Sequence, residues 1–266
     1  MIFTTVLFAA TLTAQPRITP QPNDLIVPQT SASHILIPVA GDVAGNNGTH
    51  FRSDIDLINL RSTAQDVQLR WMPQGANGIG VPVRTITIPA QSGVSSENFV
   101  GEIMQQSGLG TIDILGVTAQ GVADSSATLH ATARIWTPEP GNPTATNSQT
   151  FPSIVMPTTV VNAKTIFGLR RSSQYRLNVG MVNPSTTTQR FRVTTFVFAS
   201  PTEQATFEID LPPMSMNQVN VPGSASGIVQ VLVENITGGA GSWQAWASSV
   251  DNVSGDAWSH MAFGGS

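Results

Sequence analysis

Residues that could carry out acid–base, nucleophilic or metal chemistry are few and scattered in this chain. The histidines lack the i, i+4 helical spacing by which a zinc protease places two imidazoles on one helix face. The nearest approach to the Gly-x-Ser-x-Gly turn of a serine hydrolase is residues 223–227, where Ala225 stands in place of the nucleophile. The histidines are His34, His50, His130 and His260. We therefore predict no metal ion, no cofactor and no catalytic serine.

The carboxylates also stand outside any catalytic motif. A glycoside hydrolase requires two opposed carboxylates at a sugar-sized cleft. The acidic residues available for such a pair are Glu97, Glu102, Asp113, Asp124 and Glu139. Solvated strand faces explain these side chains more simply than a catalytic pair does, so the protein is expected not to be an enzyme.

One oxygen-rich segment leaves a cation site open. Residues 41–49 form a Gly/Asn-rich stretch that is typical of a turn-containing connection. Asp42, Asn46 and Asn47 could supply oxygen ligands to calcium, but their spacing matches no calcium loop and no acidic residue follows to bind in a bidentate way. A plain connection is the favoured interpretation, and whether calcium binds there stays open.

A ten-residue stretch occurs twice and organises the rest of the chain. Residues 50–59, His-Phe-Arg-Ser-Asp-Ile-Asp-Leu-Ile-Asn, are matched 124 positions later by residues 174–183. Phe51 matches Tyr175, and the charged and polar repeat positions are Arg52 with Arg176 and Asn59 with Asn183. This constant offset predicts an internal duplication into two domains of ordinary size.

Composition and periodicity favour an all-β fold. Charged residues make up 11% of the chain and hydrophobic residues 40%, so a core can form, and long Glu/Lys/Leu/Ala runs at helical spacing are absent. Several segments alternate apolar and polar residues, which is the period of a strand with one buried face. Only residues 97–106 are compatible with a helical turn or two. The predicted strands are residues 35–39, 67–72, 83–88, 110–115, 128–136, 192–198, 205–211, 227–233 and 243–250.

The predicted organisation is two tandem antiparallel β-sandwiches preceded by an export signal. Residues 1–14 are predicted to be a signal peptide, and residues 15–33 an extended proline-rich leader whose Leu25, Ile26 and Val27 could pair with a sheet edge. The predicted boundaries are 34–137 for the first β-sandwich, 138–157 for a proline-rich loop or linker, and 158–266 for the second β-sandwich. The mature chain is expected to have no membrane span.

The repeated stretch and the later residues 248–256 resemble the tandem Ig-like β-sandwich repeats of secreted bacterial surface proteins. Those motifs are Phe-Arg-Ser-Asp-Ile-Asp-Leu-Ile-Asn in the first half and Ser-Ser-Val-Asp-Asn-Val-Ser-Gly-Asp near the end. The resemblance covers nearly all of the mature chain and implies a location outside the cytoplasm, with a role in adhesion or in a larger surface assembly. Its motifs are structural and transfer no catalytic residue.

Two arginines and two tryptophans remain as candidate functional residues. Arg52 and Arg176 are expected to pair with carboxylates or backbone carbonyls within each sandwich, with recognition of an anionic ligand as the alternative. Trp136 and Trp258 are candidates for stacking on a sugar ring or for contact with another subunit. The net charge of −4 and the pI near 5.5 argue against a nucleic-acid partner.

The sequence therefore favours a secreted, non-enzymatic structural or adhesive surface protein. It is expected to associate with itself, as a homo-oligomer or filament, or with other surface proteins, through sheet edges and the N-terminal segment. The alternative is a carbohydrate-binding module that uses an exposed tryptophan.

Overall fold

The computed structural model describes residues 31–45, 48–139, 141–158, 160–198, 200–223, 226–238 and 241–264. These residues form an all-β protein whose paired strands are antiparallel, and the prediction of this fold class is confirmed. A π-helical turn lies at Val100–Met104, within the stretch where a helical turn was predicted. No described helix has the length and apolar character needed to cross a membrane.

The strands fall into a first and a second half of the chain. Those of the first half are β1 His34–Ala44, β2 His50–Asn59, β3 Gln65–Pro73, β4 Arg84–Ile88, β5 Ser92–Ser96, β6 Gly108–Val117, β7 Leu129–Glu139, β8 Asn142–Pro152 and β9 Ile154–Val155. Those of the second half are β10 Ala163–Arg171, β11 Tyr175–Asn183, β12 Gln189–Val197, β13 Ser200–Leu211, β14 Ser215–Asn220, β15 Gly227–Asn235, β16 Gln244–Asp251, β17 Ala257–Met261 and β18 Phe263–Gly264.

The second half consists of two sheets, in the strand orders β13-β12-β15-β10-β18 and β14-β11-β16-β17. The first half contains the order β4-β3-β6-β1-β2-β7-β8, with β5 paired to β2 and β9 paired to β1. Its sheet curls continuously because the end of β1 pairs with the start of β2, from Asp42 opposite Arg52 to Ala44 opposite His50. Both halves are therefore β-sandwich-like.

The two halves share the same plan of strand pairing. Each pairing between named strands of the second half has a counterpart in the first half when β1 to β9 are matched in order with β10 to β18. Even an irregularity is repeated: the register against the neighbouring strand shifts between Ile37 and Ala40 in β1, and between Ile166 and Leu169 in β10. These shifts align the two halves residue by residue.

Each half encloses its own apolar core, because alternate residues of facing sheets point inward. In the first half Ile55, Leu69 and Ile112 are fully buried in this core. In the second half Val179, Val193 and Phe191 occupy the corresponding core. All predicted strands lie within or overlap observed strands, whereas β5, β9, β10, β14, β17 and β18 were not expected from the sequence.

The prediction that residues 138–157 form a loop or linker is wrong for most of that segment. β8 pairs with β7 from Thr132 opposite Pro152 to Glu139 opposite Asn142, so the segment belongs to the first half. Pro143 and Pro152 are tolerated because β8 is the last strand in its sheet order, where a missing N–H need not interrupt a ladder of hydrogen bonds. Residues 41–44, expected in a connection, continue β1.

The end of the predicted leader is also part of the first half. Ala32 and Leu129 exchange two backbone hydrogen bonds of 3.0 and 2.9 Å, and the Ser33 carbonyl accepts one from Gly116 at 2.8 Å. Residues 31–33 therefore hold the ends of β6 and β7 together. The predicted signal peptide, residues 15–30 with Leu25, Ile26 and Val27, and the pair Asn46 and Asn47 lie outside the described residues.

Candidate functional site

The Trp136 indole lies on the outer surface of the first half, among positively charged side chains. Trp136 on β7 is directly opposite Arg52 on β2, and the Arg52 guanidinium lies 5.8 Å from the indole centroid. Arg134 approaches the same ring at 5.9 Å, and the indole Nε1 donates to the Glu97 carbonyl at 3.0 Å. The half-buried ring is thus occupied by cation–π contacts and offers a sugar less free surface than the sequence implied.

The outer face of β2 continues as a mixed-charge surface. Because successive side chains of a strand point to opposite faces, Arg52, Asp54 and Asp56 point outward, and Ser53 and the neighbouring apolar residues face the core. Asp54 lies 3.5 Å from Nε of Arg134 on the adjacent strand. This face therefore carries charges of both signs that partly compensate one another.

A pocket of about 350 Å³ opens beside Arg52, at the end of the first half. Its wall includes His50, Arg52, Thr137 and Glu139. His50 Nε2 is hydrogen-bonded to Asp42. This bond holds the pKa of the Asp42 carboxyl below its ordinary value, against partial burial that raises it and with help from Asn98. Asp42, a candidate calcium ligand in the sequence, is thus engaged by protein donors.

The corresponding end of the second half carries a similar pocket of about 330 Å³. It is lined by Ser172, Tyr175, Arg176 and Asn252, among others. The Arg176 side chain is exposed and donates from Nη1 to the Asn252 side-chain oxygen at 3.1 Å. The lining groups offer hydrogen bonds, a cation and an aromatic ring, which is a set suited to holding a polar ligand.

Trp258 lies near this second pocket, packed edge-on against Tyr175 with ring centroids 5.4 Å apart. Its indole Nε1 donates to the Gly168 carbonyl at 3.3 Å. Trp258 is half-buried, so part of the indole is accessible to a ligand or to another subunit. The structure places Trp136 against Arg52 and Arg134 and Trp258 against Tyr175, so the two indoles have different surroundings.

Within the described residues no ion pair joins Arg52 or Arg176 to a carboxylate and neither guanidinium donates to a backbone carbonyl, so the expected pairing is not observed. Arg52 contacts the Trp136 ring, and Arg176 donates to an amide oxygen. Asp251, a carboxylate near the end of β16, accepts hydrogen bonds from the backbone N–H groups of Val253 and Ser254 and from Gln174 Nε2. These bonds, the one from Val253 first, lower the pKa of Asp251. The turn after β16 binds this carboxylate because its N–H groups have no partner on a neighbouring strand.

The repeated asparagines have the same role in both halves. Asn59 Nδ2 donates to the carbonyls of Thr63, Ile88 and Pro89 at 2.8, 3.2 and 3.0 Å, and its Oδ1 accepts from the Arg61 N–H. Asn183 makes the corresponding set, with distances of 2.8, 3.1 and 2.8 Å to the carbonyls of Thr187, Leu211 and Pro212, and with the Ser185 N–H as donor to Oδ1. Both side chains are fully buried. Each asparagine therefore ties a strand end to two loops.

The two halves meet in a third buried cluster, here called the junction cluster. The first half contributes Leu36, Val39, Met72, Phe151 and Met156, and the second half contributes Val182, Met214, Met216 and Trp246. Trp246 is fully buried and packs edge-on against Phe151. It also lies over Gly180, where any Cβ would overlap the indole. Backbone bonds reinforce the contact, since Gly75 N–H donates to the Met216 carbonyl at 2.8 Å.

Lys164, the only lysine of the chain, is a buried cation without a carboxylate partner among the described residues. It replaces an apolar residue, because the register places it at the position of Ile35 in the first half. Its Nζ donates to the Trp243 carbonyl at 2.7 Å and to Gln244 Oε1 at 3.1 Å, and lies 4.8 Å from the Trp243 ring centroid. Burial lowers the pKa of Lys164 to about 8.

We expect this lysine to make the protein more stable as pH rises above neutrality. The folded pKa of about 8 lies below the ordinary 10.5, so between these values the unfolded chain binds more protons than the folded chain. The free energy of unfolding should increase by about 2 kcal/mol between about pH 7 and about pH 9.5. Urea titrations across this range measure the slope. Lys164→Met should abolish the rise, and an equal slope in that variant would contradict the assignment.

Comparisons with known proteins do not identify a family for this chain. No protein-family model matches it, and no curated protein matches it significantly. Across the described residues, no group of three or more His, Asp or Glu side chains is arranged to hold a metal ion.

Proposed function

We propose that this is a non-enzymatic, secreted structural or adhesive surface protein, built from two tandem Ig-like β-sandwich domains that arose by internal duplication. The proposal includes self-association through exposed sheet edges and the N-terminal segment. The observation that carries it is the junction cluster, which joins two similar sandwiches through buried apolar side chains. A rigid pair of sandwiches suits a protein that works through its surfaces or transmits force.

The duplication is supported by agreement at three levels. The sequence repeats with a constant offset of 124 between residues 50–59 and 174–183. The strand pairings and the register shift in β1 and β10 correspond. The buried Asn59 and Asn183 bind equivalent carbonyls at equivalent corners. Two unrelated sheets are not expected to contain the same buried hydrogen-bond network, because every buried donor in it needs a correctly placed acceptor.

Self-association through the N-terminal segment can be tested by deleting residues 15–30 from the full-length exported chain. Residues 31–33 must be kept, because Ala32 and Ser33 bond to β7 and β6. We expect the deletion to abolish assemblies larger than a few subunits and to leave the folded sandwiches intact. Light scattering and negative-stain microscopy measure assembly, and near-ultraviolet circular dichroism reports the tryptophan environments.

The control for this deletion separates the apolar segment from the loss of chain length. A triple variant with serine at Leu25, Ile26 and Val27 keeps the length and should lose assembly as the deletion does. Val122→Ser, which changes a side chain that is 63% exposed in the first half, should assemble normally. Unchanged polymers in the deletion variant would contradict a role of the N-terminal segment.

The pocket beside Arg176 favours a second candidate function, the binding of a carbohydrate. Tyr175, Asn220 and Asn252 line it, and the half-buried Trp258 lies nearby. The amides and the guanidinium can hydrogen-bond the hydroxyl groups of a sugar, and the aromatic rings can stack on its apolar face. A strictly monomeric wild-type protein that is retained on an insoluble polysaccharide would replace the structural proposal with this one.

A further inference from the structure

A cluster of exposed aromatic rings lies on the second half, and it is apolar where the Arg176 pocket is polar. Phe167, Phe198 and Phe263 are in contact, with ring centroids 5.9 Å apart for Phe167 and Phe198 and 5.5 Å for Phe167 and Phe263. Ile228 is next to them, since its carbonyl accepts a hydrogen bond from the Phe198 N–H. We call these four residues the phenylalanine patch. Contiguous apolar surface of this kind marks interaction sites.

The exposure of the phenylalanine patch is large. The side chains are 36% exposed at Phe167, 59% at Phe198, 54% at Ile228 and 54% at Phe263. Aromatic side chains contribute most when they are buried, so a group of three left in water is a cost that a partner surface would remove.

The repeat shows what the equivalent surface of the first half does. The Phe198 N–H donates to the Ile228 carbonyl, and at the corresponding place the Gln74 N–H donates to the Leu109 carbonyl. Phe263 is likewise matched by Ile154, because each belongs to a two-residue strand that pairs with the same part of β10 or β1. Phe198, Ile228 and Phe263 therefore correspond to Gln74, Leu109 and Ile154.

These counterparts form the docking face between the two halves. Leu109 and Ile154 pack against the junction cluster. Gln74 forms a backbone bridge with Met216 and donates from its side chain to Asn217 Oδ1 at 3.1 Å. The same place on the sandwich is thus covered by a β-sheet in the first half, whereas no part of the described chain covers it in the second half.

An open chain of copies joined head to tail is not what this surface favours. In such a chain the patch of one copy would contact the first half of the next copy, at the surface that corresponds by the repeat to the sheet carrying Trp246. There Thr132 stands in place of Trp246 and Asp56 in place of Gly180, and both are exposed. Burying Asp56 against phenylalanine rings would leave an unpaired charge in an apolar contact. Four of the large apolar side chains that are exposed among the described residues form this patch, so the patch of a second copy offers it a matching apolar surface.

We propose that two copies of this chain associate through their phenylalanine patches, in a closed contact about a two-fold axis. In such a contact the patch of each subunit is buried against the patch of the other, and no patch stays exposed to bind a third copy. The inference deepens the proposed function, since it rests on the self-association stated there and names its partner surface.

The test is sedimentation velocity of the full chain over roughly 1–100 µM protein. We expect a reversible monomer–dimer step as the smallest association, beneath any larger assembly that the N-terminal segment forms. Phe198→Asp places a charge within the contact and should raise the dissociation constant about thirty-fold or more. The matched control is Val253→Asp, because Val253 is 89% exposed on the same half and outside the patch. It should leave the equilibrium unchanged.

Different results separate this inference from the proposed function. A wild-type protein that stays monomeric throughout, or a dimer equally sensitive to Val253→Asp and Phe198→Asp, would overturn the patch contact. Polymers that require residues 15–30 and ignore Phe198→Asp would also overturn it while supporting the structural function. A dimer lost only in Phe198→Asp supports the patch even where no larger assembly forms. Unchanged urea unfolding of Phe198→Asp shows that lost dimer does not reflect lost folding.

Discussion

Replacing Trp246 with alanine is expected to lower the free energy of unfolding by about 3–5 kcal/mol and to separate the unfolding of the two halves. The indole is fully buried, packs against Phe151 from the first half and covers Gly180 in its own half. Alanine leaves a cavity at the contact that joins the sandwiches. Calorimetry should then show two transitions where the wild-type protein shows one, because coupling across the junction is what merges them.

Trp246→Phe is the matched control for that experiment. The indole Nε1 has no hydrogen-bond partner among the described residues, so phenylalanine loses packing volume but no hydrogen bond. We expect a cost of about 1 kcal/mol and a single transition. Equal behaviour of the alanine and phenylalanine variants, with one unshifted transition in both, would show that the junction does not couple the halves.

The junction was missed in the sequence, although a signal for it was present. Ile35, Leu36 and Ile37 form a continuous apolar run, and so do Val179 to Val182 around Gly180. Apolar and polar residues alternate in a strand with one solvent-exposed face, whereas a strand buried on both faces is apolar throughout. In these runs one face fills the sandwich and the other fills the junction. The sequence alone cannot say which surface covers the second face.

The repeat itself was predictable because a structural requirement preserves it. Asn59 and Asn183 must each supply two N–H groups and one oxygen at a strand end, and no other small side chain has that set of groups. The arginines of the repeat carry no such requirement, and their contacts differ between the halves. Lys164 could not be predicted as buried, since a lone lysine on a strand is ordinarily solvated.

Replacing Asn59 or Asn183 with alanine is expected to cost about 3 kcal/mol or more in the half that carries the change. Each substitution removes three bonds to carbonyls and one from a backbone N–H, and leaves buried polar groups without partners. Asn→Asp should cost more at either site, because a carboxylate cannot donate and faces three carbonyl oxygens. Urea unfolding, followed by tryptophan fluorescence, measures both.

The repeat provides the sharpest control for the asparagine variants, since the same change can be made 124 positions apart. Asn220→Ala serves as a surface reference, because that side chain makes one long, exposed contact of 3.4 Å. Similar losses at Asn59 and Asn183, against little change at Asn220, would mean that both sandwiches depend on one corner design, as a duplicated domain should. A loss confined to one site would show that the shared geometry no longer has a shared energetic role, and would weaken the argument for duplication from these bonds.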